Sequence, residues 1–255
     1  MYVYLCYFLI YSFLGWCVEV CYAALNTKKF INRGFLNGPY CPIYGAGAVA
    51  VMYFICPFKK NLLVLFAVSV ILTSAIELFT GFGLEKAFHY RWWDYSEVPF
   101  NLGGYICLKF SIIWGFACVF VVEIIHPVVK DIVSWVPITA GEIFVSILFL
   151  LMAADLIVTV KTVLKLNTRM EKLQVIADDI HKFSDEVGSR VSSDFLNIQH
   201  KLEELREKRE KVVSEKISWI EKRIMSSFPD MKSTKYSENI LKDIRTRNFN
   251  KNNKS

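Results

Sequence analysis

Four long apolar runs in this sequence each carry one or two ionisable residues, and chemistry can begin at those residues. Glu19 is the only charge between Tyr2 and Leu25, and Glu77 the only one between Asn61 and Leu84. Lys109 and Glu123 fall between Tyr105 and Ile125, and Glu142 and Asp155 between Val136 and Val160. A bilayer-spanning helix needs about 20 mostly apolar residues, so each run is long enough to cross. A charge in lipid is costly, so one that is kept there faces the bundle interior and marks a substrate, ion or proton path. A carboxylate in such a place can take up and release a proton during a transport cycle.

The elements that must position these groups follow from the same runs. A fifth segment, Pro42 to Cys56, is shorter and rich in glycine, and fits a short, tilted or re-entrant piece. The expected fold is all-α: a polytopic membrane bundle of about five spans over residues 1–160. The charge distribution breaks near Lys161. Nine Lys or Arg and nine Asp or Glu precede it, and the remaining 21 and 15 give the tail the whole net charge of +6. Cytoplasmic loops carry excess Lys and Arg. Lys28, Lys29 and Arg33, then Lys86 and Arg91, then the tail from Lys161 therefore point inward, and the N-terminus outward. The first run has no basic residues before it, which fits an anchored span rather than a cleaved signal.

This topology brings Glu19, Tyr40, Tyr44, Glu77, Lys109 and Asp155 to similar depth near the cytoplasmic end. Any one of them could snorkel to the headgroups. Their shared depth is what argues for a common polar pocket. Glu123, His126 and Glu142 form a thinner group near the other end.

Two connections are dense in signal. "FHYRWWDYSEVPFNLGGYICLKFSIIWG" lies between the third and fourth spans. Trp92, Trp93 and Tyr95 suit the headgroup layer, but His89, Arg91 and Asp94 are interleaved with them. An Arg91–Asp94 pair at the pocket mouth would make this loop, together with Arg33, a gate. Ser111 and Gly115 make a small-xxx-small face for close helix approach. "NRGFLNGPYCPIYGAG", from Asn32 to Gly47, predicts broken helix geometry, which is tolerated at membrane depth where it lines a cavity.

These two stretches, together with "FLIYSFLGWCVEVCY" near the N-terminus, resemble the CmpB-like family of ABC-transporter type IV membrane proteins. The resemblance runs through the first half of the chain, to Glu123-Ile124-Ile125-His126-Pro127. Tyr105 stands where the family pattern has a basic residue, so no charge role carries over to that position. The resemblance implies a multi-pass permease and brings no substrate with it.

From Leu166 to Ile224 apolar residues recur at steps of three and four, giving a helical stripe. The mean step is nearer 3.6 than 3.5, so a strict coiled coil is not required. The tail reads as a long or once-broken amphipathic, coiled-coil-like helix over 161–228, with Gly188 as the break. Its stripe must meet a soluble partner, its own copy or the membrane surface. Residues 229–255, rich in Asn, Lys and Ser, read as disordered.

The motifs that are missing narrow the function. No GxxxxGK[ST] loop, GxSxG, HExxH or Rossmann fingerprint occurs, so no enzyme activity is expected, and the ATPase of an ABC system would be a separate chain. His89, His126, His181 and His200 lack metal-ligand spacing, and no CxxC pair occurs among the seven cysteines. No cofactor, metal or nucleic-acid partner is expected. The partners are the bilayer, the separate ATPase and whatever meets the tail stripe. The expected function is a permease subunit with a cytoplasm-facing pocket. The alternative is a membrane scaffold or sensor whose tail recruits a partner or self-associates.

Overall fold

The computed structural model describes residues 1–54, 61–189, 195–215 and 217–250. Helix dominates, because a chain in lipid must satisfy its backbone groups internally. In chain order, α1 is Tyr2–Thr27, α2 Pro42–Phe54 and α3 Leu62–Phe88. Next, α4 (Leu108–Phe120) runs through a π-helical turn (Val121–Ile125) into α5 (His126–Trp135), making one rod. Then α6 (Ile138–Ser189) runs on well past the end of the bundle. Four helices are long and apolar enough to cross a membrane: α1, α3, the Leu108–Trp135 rod and α6. The π turn has a local cause. Pro127 has no N–H, and its ring would meet the carbonyl four residues back; a wider turn relieves that clash.

Helix α2 has 13 residues, about 20 Å at 1.5 Å per residue, against a hydrocarbon core of about 30 Å. Its beginning lies deep. The Cys41 N–H donates to Ser12 O at 2.9 Å, midway along the apolar stretch of α1. At the far end of the α1–α2 hairpin the Tyr4 and Tyr53 rings meet at 6.2 Å. The segment 28–41 therefore descends into the bundle before α2 begins, and Pro42 opens the helix where a missing N–H costs nothing. Cys56, Lys59 and Lys60 lie outside the described residues.

The small-residue face on α4 does what its spacing predicts. Ser74 donates to Ser111 at 2.7 Å, and a Cβ on Gly115 would sit 2.5 Å from Val70 and 2.8 Å from Phe66. Only small residues let α3 and α4 come this close.

Outside the bundle, α7 (Phe195–Ser214) returns along α6, so that Arg169 meets Glu215 just beyond the end of α7. It is followed by α8 (Trp219–Ser227), and the last helix, α9, is Glu238–Asn250. Two small antiparallel pairings tie the loops: β1 (Tyr90–Arg91) with β4 (Lys232–Ser233), and β2 (Asn101–Leu102) with β3 (Ile106–Cys107). Gly188, the expected break, lies within α6, which is described to Ser189; α7 is described from Phe195, and residues 190–194 lie outside the described set.

Two expectations change here. The segment from 229 carries β4 and α9 instead of being without order, and only 251–255 fall outside the described residues. Its polar composition hides five spaced side chains, Met231, Tyr236, Ile240, Leu241 and Ile244, all buried. They join Phe88 at the end of α3, Tyr90 and Trp92 from the loop after it, and Leu166, Met170 and Leu173 from α6 in one core. Trp92 thus packs in a protein core, and the part of the tail region formed by Leu166, Met170, Leu173, Val213, Ile217 and Ile224 is covered within its own chain.

Candidate functional site

Each carboxylate expected in the pocket meets a tyrosine. Tyr44, in the first turn of α2, donates its hydroxyl to Glu19 Oε1 at 2.6 Å, and Arg33 Nε stands 3.7 Å from Glu19 Oε2. Arg33 also lies over the Tyr22 ring at 5.5 Å. Tyr95, carried by the loop after α3, donates to Glu77 Oε1 at 3.2 Å. Glu77 Oε2 is buried and has no hydrogen-bond partner among the described residues. The Tyr95 ring stacks on Phe110 at 4.9 Å, and Tyr44 meets Trp114 edge-on at 5.6 Å. Burial first, then the neighbouring Glu77 and, further off, Glu19, push the Tyr95 hydroxyl well above its ordinary value. Glu19, Tyr44, Glu77 and Tyr95 are thus one electrostatic neighbourhood built from α1, α2, α3 and a loop.

Asp155 has a different character. Its carboxylate accepts from the Asn37 backbone N–H (3.1 Å), Asn37 Nδ2 (2.7 Å), the Gly38 N–H (2.8 Å), the Tyr40 hydroxyl (2.8 Å) and Thr159 Oγ1 (3.2 Å). A carboxylate offers about four lone-pair sites, so Asp155 is saturated by the segment it holds. It fixes the descent of residues 37–41. Burial and the Asp155 charge push the Tyr40 hydroxyl up. Cys41, beside it, is pushed up to about 12 by burial and by Glu19, against the opposing charge of Arg223.

Lys109 does not join the acids. It is exposed, with its ammonium 5.8 Å over the Phe110 ring. The Arg91–Asp94 pair forms at 3.8 Å, but the stronger partner of Arg91 is Glu85, at 2.8 Å, with the Tyr105 ring under its guanidinium at 5.0 Å. Asp94 takes Ser96 Oγ at 2.5 Å and Lys232 Nζ at 2.9 Å. Ser96 first, then Lys232, hold its carboxyl down at about 2 against the effect of burial. Trp93 donates to Tyr105 O at 2.9 Å and lies against Gly81. His89, in left-handed conformation at φ 59°, ends α3, and its carbonyl accepts from the Thr234 N–H. In the thinner group, the Tyr11 hydroxyl and His126 Nδ1 lie 3.2 Å apart, while Glu123 and Glu142 are exposed.

Sequence reasoning missed Asn37, Thr159, Glu85 and Arg223 as members of this layer. Asn37 and Glu85 lie within or beside the dense stretches. Arg223 is 186 residues from Asn37, and nothing in its local sequence points there.

A family model described as "Putative ABC-transporter type IV" (CmpB) matches residues 6–160. The chain belongs to that family. The matched residues of this CmpB-type protein include Glu19, Asn37, Tyr40, Tyr44, Glu77, Tyr95 and Asp155, whereas Arg223 and Lys232 lie outside the match. The family description names a transporter component, and the four apolar helices fit a membrane protein. No curated protein and no solved structure matches the chain.

Proposed function

We propose that this CmpB-type protein is the permease subunit of an ABC-type transport system, with a cytoplasm-facing path past Glu19 and Glu77. The observation that carries this proposal is the pair of tyrosine–carboxylate contacts, Tyr44–Glu19 and Tyr95–Glu77, side by side at one level of the bundle. Glu77 adds a carboxylate oxygen without a hydrogen-bond partner among the described residues, as a group that hands over a proton or meets cargo requires. On this proposal residues 1–160 are the membrane unit, with α2 as a short fifth element, and 161 onward is cytoplasmic. The exposed Lys28, Lys29, Lys86, Lys161 and Lys165 gather at the end where Asp155 and Asn37 meet, which is the cytoplasmic end by the charge rule. The N-terminus then faces outward.

The test is purification of the tagged chain in mild detergent with identification of stoichiometric partners. A co-purifying P-loop ATPase whose turnover depends on this chain, and falls at least tenfold with Glu77→Gln, supports the permease. Absence of any such ATPase, or full turnover in Glu77→Gln, overturns it. The scaffold or sensor alternative is favoured by one feature, Trp219, which stands 70% exposed at the start of α8. Loss of a soluble partner on Trp219→Ser would identify that function.

A further inference from the structure

The C-terminal segment is not laid on the bundle at random. It grips both segments that frame the polar layer. Arg223, buried on α8, spends all three nitrogens on the descending segment: Nε to Asn37 Oδ1 at 2.9 Å, Nη1 to Gly34 O at 2.8 Å and Nη2 to Phe35 O at 2.9 Å. Ser227 reaches Asn32 O on the same segment. The Asn37 side chain that takes Arg223 gives its own N–H to Asp155. Arg223, Asn37 and Asp155 therefore form an unbroken relay from tail to membrane helix.

The other segment is held as firmly. Strand β4 pairs with β1, the Thr234 N–H donates to His89 O at 3.0 Å, and Lys232 binds Asp94. Phe228 meets Trp92 edge-on at 4.8 Å, and Trp92 in turn meets Phe35 at 5.1 Å. One tail segment thus crosslinks the loop after α1 to the loop after α3. These loops carry Tyr40 and Tyr95, and the first also leads into Tyr44. Polar contacts hold it at two separate points, beside an apolar core to which Ile224, Met225, Met231, Ile240, Leu241 and Ile244 contribute. The contacts of Arg223 and Lys232 involve charged groups, worth about 1.5–3 kcal/mol each, so losing either point weakens the hold measurably.

We propose that residues 218–245 are a latch. Docked, they close the loops at 28–41 and 89–107 over the tyrosine–carboxylate layer, and lifting them opens that layer from the tail side. The latch deepens the permease proposal and rests on it for its role, but its movement is measured separately. Cys41 is the native reporter. It is buried, 5% exposed, and close enough to both Glu19 and Arg223 for their charges to act on it.

The experiment uses the full chain in inverted vesicles, treated with a membrane-impermeant maleimide, with modification of Cys41 followed by mass spectrometry of its peptide. Arg223→Ala should raise the Cys41 rate at least tenfold, and Arg223→Lys should fall between. Thr234→Pro, which removes only one strand donor at the other point of hold, should also raise it. Rates within twofold of wild type in both Arg223→Ala and Thr234→Pro overturn the latch. Should Arg223→Ala not be recovered as a monodisperse protein, Thr234→Pro alone decides. Faster labelling alongside an ATPase indifferent to Glu77→Gln leaves the latch standing and removes the transport role. Unchanged labelling with a Glu77-dependent ATPase does the reverse.

Discussion

The buried pair between Arg169 and Glu221 offers the sharpest energetic test. Arg169 leaves α6 with its side chain 3% exposed, and Glu221, in the first turn of α8, is 0% exposed. Glu221 has two duties. Its Oε2 accepts from the Ser218 N–H at 2.6 Å, closing a capping box, and its Oε1 faces Arg169 Nη1 at 3.8 Å. Glu221→Gln separates the two, because glutamine serves the box as well as glutamate does while removing the charge. Breaking a buried pair by removing one partner costs about 3–5 kcal/mol, since the other charge stays buried and uncompensated. Arg169 keeps Glu215, whose oxygens lie at 2.9 and 3.2 Å, so the lower end, about 3 kcal/mol, applies. At about 1.4 kcal/mol per factor of ten, amide protection in α8 should fall roughly a hundredfold. Hydrogen exchange of the detergent-solubilised chain reads this directly. The double variant Arg169→Met, Glu221→Gln should recover most of the loss, because neither charge remains. Protection within threefold of wild type in Glu221→Gln, or no recovery in the double variant, would refute the reasoning.

Three other outcomes follow from the geometry. Asp155→Ala strips the acceptor from five donors, and with buried unpaired groups costing about 1–3 kcal/mol each, the solubilised protein should lose at least about 5 °C in thermal midpoint; no change would mean that water replaces the carboxylate. Gly115→Leu drives a side chain into Val70 and Phe66 and should abolish recovery of folded protein, whereas Gly47→Ala, with open space around it, should be neutral by size-exclusion profile. The Asp94 carboxyl sits below its ordinary value when folded, so its contribution is complete above about pH 4 and is lost as pH falls toward about 2. Exchange protection at the Thr234 amide should fall across that window in the native chain, and Asp94→Asn should flatten the fall.

The contrast between Tyr44 and Lys109 shows how far the sequence reaches. Apolar length fixes which segments can cross, and rise per residue fixes depth, so Glu19 and Tyr44 could be expected at one level, and they meet. Depth does not fix azimuth. Lys109 has a suitable depth but faces out, and a uniformly apolar helix gives no polar face from which to read rotation. Trp92 illustrates a second ambiguity. An aromatic–charged loop reads the same for a headgroup layer and for the rim of a soluble core, and the choice depends on Phe228 and Met231, more than 130 residues away. The tail stripe was legible as a helical face, but its partner was not, because periodicity reports that a face is buried and never against what. Composition misled at 229–250, where five spaced apolar residues suffice to dock a polar segment.

The relay from Arg223 to Asn37 also sets a timetable for biogenesis. With 186 residues between the two partners and synthesis at about 5–20 residues per second, the segment at 32–37 waits roughly 10–40 s after it is made for the side chain that covers it. The apolar helices can pack within that interval, so a newly made bundle exists for a time without the Arg223 contacts on the segment at 32–37. A chain that stops before residue 218 would be held in that juvenile form.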